Sequence, residues 1–116
     1  MPNYMLFLYH DPSSWSKHSA EEMQKVVEKY LAWGQKARAR GFFRNGHRLA
    51  EHHGKVVRGN KVTDGPYSET KEVLGGYYLI AADNYDHAVR CALDHPHLEH
   101  GGTIEVREIH SMHDQV

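Results

Sequence analysis

The chain carries eleven histidines in 116 residues, and histidine is the side chain best placed to exchange protons near neutral pH or to bind a transition metal. Two titratable residues sit where the local sequence would fix their orientation. Asp64 opens Asp64-Gly65-Pro66, in which Gly65 tolerates unusual dihedrals and Pro66 fixes its own φ while restricting the residue before it. A turn beside a sheet edge can hold a carboxylate in one orientation, as general acid–base work requires. The same residue equally reads as an Asx turn bonding nearby backbone N–H groups. His95 precedes Pro96, which limits its backbone and so helps fix where the imidazole points. It reads as a site residue and also as a helix stop. Asp64 and His95 are the candidate catalytic residues.

Four further positions are candidate ligand-binding residues: His47, Glu69, Tyr77 and Arg107. Glu69, with Lys71, could bind or polarise a ligand; charges between a turn and a strand are also commonly solvated or paired with each other. Tyr77 and Tyr78 point to opposite faces of a strand, so at most one presents its hydroxyl to a pocket while the other packs against a helix. Arg107 falls on the strand face opposite Ile104 and Val106, where it would bind an acidic or carbonyl-bearing ligand or, with Glu105, form a pair of surface charges. His47 and Tyr9 are expected on neighbouring strands. His95, His97 and His100, with Glu99 between them and His52 or His53 elsewhere, could be imagined as a metal site. Their spacing matches no specific zinc pattern, and histidines at a helix end also serve terminal carbonyls, so no metal is assigned. The chain has no Walker loop, dinucleotide fingerprint, Gly-x-Ser-x-Gly elbow or pair of Cys-x-x-Cys motifs, and no cofactor is assigned.

These residues depend on the elements that carry them. Tyr4 to Tyr9 is continuously apolar and aromatic, as expected of a strand covered on both faces. Ser19 and Glu22 have capping-box spacing, and Met23, Val26, Val27, Tyr30, Leu31, Gly34 and Ala37 then recur at helical steps up to a stop at Gly41. Phe42 to Leu49 reads as a second strand interrupted by Gly46, and residues 55–64 around Gly59-Asn60 as a small hairpin. Gly75-Gly76 opens an apolar strand from Tyr77 to Ala82. Asp83 can cap a helix with the stripe Tyr85, Ala88, Val89 and Ala92, which must stop before Pro96. Thr103 to Ile109 is the last strand. The order is βα, then β with a hairpin insertion, then βαβ, which predicts an α+β fold: a ferredoxin-like βαββαβ sheet with both helices on one face.

Length and composition bound the rest. Residues 1–116 suffice for one core and are too few for two independent ones, so a single domain is expected. Fourteen Lys and Arg against fifteen Asp and Glu give a formal charge of -1, which argues against the phosphate-neutralising surface of a nucleic-acid binder. The apolar runs are far shorter than a bilayer span, and the amino terminus lacks the order of a secretory signal. No nucleic-acid or membrane partner is expected, and the location is read as cytoplasmic. The single cysteine, Cys91, lies among helix alanines and reads as a packed thiol.

The stretch Thr63 to Ile80 identifies the chain best. Asp64-Gly65-Pro66-Tyr67, the Glu69-Thr70-Lys71-Glu72 stretch and the Gly75-Gly76-Tyr77 strand closely resemble the DGPF signature of YCII-related proteins, with Tyr67 in place of the usual Phe. Shorter matches extend the resemblance over most of the chain, at Gly41, Leu49, Val57-Arg58, His95-Pro96, Gly101 and Glu105-Val106-Arg107. The proline that typically follows Leu49 in the subgroup is absent. If the first and third core strands are apolar on both sides while helices cover only one, a second copy of the chain is the simplest cover. A homodimer is therefore expected, packed face to face as the dimeric α/β barrel that the resemblance also implies.

Many YCII-type relatives carry a first-helix histidine thought to pair with an aspartate. This chain has none between Ser19 and Gly41, so any acid–base histidine must come from elsewhere, with His10, His47 and His95 as choices. Two readings of function follow. One is a cofactor-independent lyase or isomerase moving a proton on a small organic ligand in the barrel cleft, an analogy with fold relatives. The alternative is a non-catalytic ligand-binding or regulatory module, since DGPF relatives are often associated with extracytoplasmic-function sigma factors.

Overall fold

The structure, a computed structural model, describes residues 1–51, 53–65 and 72–110. Strand β1, Asn3–His10, buries Tyr4, Leu6, Leu8 and His10 and leaves the residues between them half-buried. The one-turn helix α1, Pro12–Trp15, follows, begun by the Asp11 carboxylate accepting from the Ser13 N–H. Helix α2, Ala20–Ala39, starts with the predicted capping box: Ser19 Oγ accepts from the Glu22 N–H, and the Glu22 carboxylate accepts from the Ser19 N–H. Acidic residues in its first turn and basic ones in its last complement the helix dipole, and Gly41 ends it at a φ of 84° that favours glycine.

Next come β2, Phe43–Arg48, and the hairpin strands β3, Gly54–Arg58, and β4, Lys61–Gly65. Strand β5 is Val73–Ala81, helix α3 is Tyr85–Leu93, a 3-10 helix covers Pro96–His100, and β6 is Thr103–Glu108. Asn84, not Asp83, caps α3; its side-chain oxygen accepts from the His87 N–H. The sheet order is β2-β5-β1-β6 with every pairing antiparallel, while β3 and β4 form a separate two-stranded sheet.

Register explains the core. Leu6 lies opposite Tyr78 on one side and Val106 on the other, and Tyr4 lies opposite Ile80. That face meets Trp33 and Ala37 of α2 and Ala88, Cys91 and Ala92 of α3 in one cluster. Trp33, absent from the predicted helix stripe, is 5% exposed, and its indole N–H donates to Asp94 at the end of α3. Leu31, placed on the stripe, is instead 63% exposed.

The expected dimeric α/β barrel is corrected. The fold is α+β, but the sheet is open, with β2 and β6 as its two edges and no closing strand pair among the described residues. The homodimer rested on strands buried on both faces, and β1 alternates instead. Its second face shares the sheet surface with the charged side chains of β6, where the Tyr9 hydroxyl donates to Glu105. A period of two outweighs the apolar run, because successive side chains must point to opposite faces whatever their polarity. No helix among the described residues is long and apolar enough to cross a membrane.

Candidate functional site

A cavity of about 280 Å3 lies between α2 and the sheet. Val26, Tyr30 and Gly34 of α2 line one wall and Leu8, Gly76 and Tyr78 the opposite one. Trp15 and His97 also line it, and the exposed side chains of Arg38 and Arg48 reach its rim.

Glycines make room for its rings. A Cβ on Gly46 would lie 2.5 Å from Cδ1 of Tyr78, and one on Gly75 would lie 2.6 Å from Nδ1 of His10. A Cβ on Gly102 would overlap the His97 ring. Each ring occupies the space that a neighbouring side chain would fill, which is the close-approach use of glycine within a sheet. Gly46, read as an interruption of the second strand, is what lets Tyr78 lie across β2.

Two backbone groups set the polarity of the site. His95 precedes the 3-10 helix and its Nδ1 accepts from the His97 N–H at 2.9 Å. An amide N–H can only donate, so the proton of the neutral His95 ring sits on Nε2 and donates to the Tyr78 hydroxyl 3.0 Å away. Tyr78 thus accepts from His95 and retains its own proton to donate. His97 is wired in the opposite sense. Its Nε2 lies 2.6 Å from the Tyr9 carbonyl, which can only accept, so Nε2 carries the proton and Nδ1 accepts from the Tyr30 hydroxyl at 2.6 Å. Tyr30 gives its proton away and keeps lone pairs.

Burial reinforces this arrangement. His95 is 1% exposed, and the rings of Trp33, Tyr30 and Tyr78 surround it at 4.7, 4.8 and 5.3 Å between centroids. Loss of solvent, helped by His97 and opposed by Asp94, lowers its pKa to about 3. Burial also lowers the pKa of His97; the Tyr9 carbonyl works against it, and His10 and His100 add to it. Burial pushes Tyr78 up to about 12 against the pull of Arg38. Tyr30 is raised by burial and by Tyr78, with Arg48 opposing. All four groups are neutral at physiological pH, as the hydrogen-bond wiring requires.

The cavity takes in only some of the predicted site residues. His95 backs it through Tyr78. His47 and Tyr77 contribute to its lining, with their rings 5.7 Å apart on β2 and β5; β5 separates β2 from β1, so His47 and Tyr9 are not on neighbouring strands. Asp64 lies on the hairpin, its side chain 88% exposed and paired with Lys55. Arg107 is 67% exposed, 4.0 Å from Glu105 on β6, and lines no part of the cavity. Glu69 lies outside the described residues. Among the described residues no group of three or more His, Cys, Asp or Glu could hold a metal ion. Tyr30 was missed as a site residue, and His97 was weighed only as part of an imagined metal site. The signals were a tyrosine on the cavity-facing stripe of α2 and the His-Pro-His order, which puts two imidazoles one residue apart.

The family model described as the YCII-related domain matches residues 3–113. Comparison with curated proteins gives no match.

Proposed function

The chain belongs to the YCII-related domain family, and we propose that it is a cofactor-independent isomerase or lyase that moves a proton on a small, largely apolar carbonyl compound held in the α2 cavity. The observation that carries this reading is the opposed polarity of two tyrosines lining one cavity, Tyr78 as donor and Tyr30 as acceptor.

The proton on the carbon beside the substrate carbonyl passes to Tyr30 Oη while Tyr30's own proton moves to His97 Nδ1. The Tyr9 carbonyl supports the imidazolium through Nε2, and the lowered pKa of His97 makes it return the proton readily. The electron pair of the broken C–H bond forms a carbon–carbon double bond, and the carbonyl oxygen becomes an enolate hydrogen-bonded by Tyr78. Where a further double bond adjoins the reacting carbon, so that a dienolate forms, return of the proton to the far carbon of that system completes an isomerisation. Loss of a group from the next carbon, which takes the proton with it, completes an elimination. One such oxyanion donor is worth roughly 10²–10³ in rate. His95 acts as a positioning residue, holding Tyr78 as a donor.

The test is proton NMR in D2O with 2-oxo acids, aryl-substituted 2-oxo acids and unsaturated lactones. Protein-dependent loss of the C–H signal beside the carbonyl is expected for at least one of them, slowed about 100-fold or more by Tyr30→Phe and by Tyr78→Phe. No exchange with any compound, or exchange that survives both substitutions, defeats the reading.

A further inference from the structure

We infer that Arg38 is an anion-binding residue of the α2 cavity and that the ligand is a small monocarboxylate with an apolar body. The inference rests on the same cavity as the proposed reaction and adds the chemical class of what enters it.

Among the described residues, three charged groups other than histidine line the cavity: Arg38, Arg48 and Glu51. Arg48 Nη2 lies 3.0 Å from Glu51 Oε1, so these two offset each other. Arg38 has no carboxylate partner among the described residues, and its guanidinium carbon lies 4.2 Å from the centroid of the Phe43 ring. A guanidinium seated over a ring satisfies its face through the π-system and leaves its N–H edge to donate, the geometry that a carboxylate takes in two parallel hydrogen bonds. Among the described residues this leaves one net cation at the rim of a largely apolar cavity, which complements one anionic group.

Spacing along α2 limits the size of that ligand. Tyr30, Gly34 and Arg38 are successive at four-residue steps, about 6 Å apart along the axis. Arg38 folds back over Gly34, where an added Cβ would lie 3.2 Å from Arg38 Nη1. The guanidinium therefore sits roughly one turn, about 6 Å, from Tyr30. A carboxylate held by Arg38 places the body of a short acid against Tyr30 and Tyr78. Arg38 is not among the residues of the predicted apolar stripe; the missing side chain at Gly34 is what lets it reach round to the cavity.

The test is a titration of the full chain, followed by NMR shifts of the cavity residues, with 3-phenylpropionate and with the neutral 3-phenylpropionamide. The acid is expected to bind at least tenfold tighter than the amide, and to weaken when salt is raised while the amide does not. Arg38→Gln should remove the preference and leave amide affinity within about twofold, Arg38→Lys should keep part of it, and Arg48→Gln should leave it in place. These limits correspond to one charge-assisted pair at a partly exposed site. Equal binding of acid and amide, a preference that survives Arg38→Gln, a preference lost in Arg48→Gln alone, or no binding of either probe would overturn the inference. Neither probe undergoes the proposed reaction. Acid preference without deuterium exchange in the earlier test would remove the chemistry and keep the ligand class, and the reverse result would do the opposite.

Discussion

A histidine becomes chemically specific when a partner that cannot change its own role occupies one ring nitrogen. The His97 amide does this for His95 and the Tyr9 carbonyl does it for His97. Neither partner ionises, so the polarity handed on to Tyr78 and Tyr30 is built into the backbone. The steric counterpart is Gly46. Replacing it with alanine puts a methyl 2.5 Å from the Tyr78 ring and 3.0 Å from the Tyr77 carbonyl oxygen. Gly46→Ala is expected to cost about 1–3 kcal/mol in urea denaturation and to slow deuterium exchange as strongly as Tyr78→Phe. Unchanged stability would mean that the ring has another place to go. Asp64→Asn, by contrast, removes one exposed ion-pair partner on the hairpin. It is expected to leave the denaturation midpoint and the exchange rate unchanged; a large loss of exchange would put the hairpin back into the site.

Among the elements, α2 matters most, because it carries the acceptor Tyr30, the rim cation Arg38 and the core ring of Trp33. Its start is fixed by the reciprocal bonds of Ser19 and Glu22. Its later half is tied to the end of α3 by Asp94, which accepts from the Trp33 indole and from Lys36 at 3.0 and 2.6 Å. Burial works against that carboxylate, but these two donors outweigh it and hold its pKa below the usual value. Ser19→Ala should cost about 1 kcal/mol, the usual worth of an N-cap, measured by urea denaturation. Because the cap lies three turns from Tyr30, binding of phenylpropionate should be preserved. Lost binding would show that α2 moves as a whole.

For the whole molecule, the buried histidines predict a direction of pH dependence. His95 stays neutral in the folded chain down to about pH 3, whereas unfolded it takes a proton below about 6.5. Between those values the unfolded state binds the extra proton, so stability is fully present above 6.5 and is lost progressively as pH falls toward 3. His95 alone makes the protein roughly 2 kcal/mol less stable at pH 5 than at pH 7, and His97, shifted the same way, adds to this. Asp94 contributes in a lower window, its stabilisation fading only as pH falls through and below 3.8. Urea denaturation at pH 7, 6 and 5 checks the sign, with a shallower slope expected for His95→Asn. A flat profile, or an equal slope in the variant, would contradict the buried neutral imidazole.

Much of this was local enough to be read from residue order. The capping box at Ser19, the stops at Gly41 and before Pro96, the hairpin about Gly59 and the run of elements each depend on contacts within a few residues, which sequence spacing specifies directly. The site was not local. Tyr30 and His97 are 67 positions apart, and His95 and Tyr78 are 17 apart; which ring meets which follows from strand register and from the glycines at 46, 75 and 102 that leave space for them. The open sheet was a tertiary outcome as well, since an apolar run looks the same whether it is covered on one face or two, and only packing against α2 and α3 settles which side is buried. Sequence alone determined most of the elements and the stock of imidazoles and phenols; the short helices at Pro12–Trp15 and Pro96–His100 were not read from it. Their polarity was decided by two backbone groups that folding brought beside them.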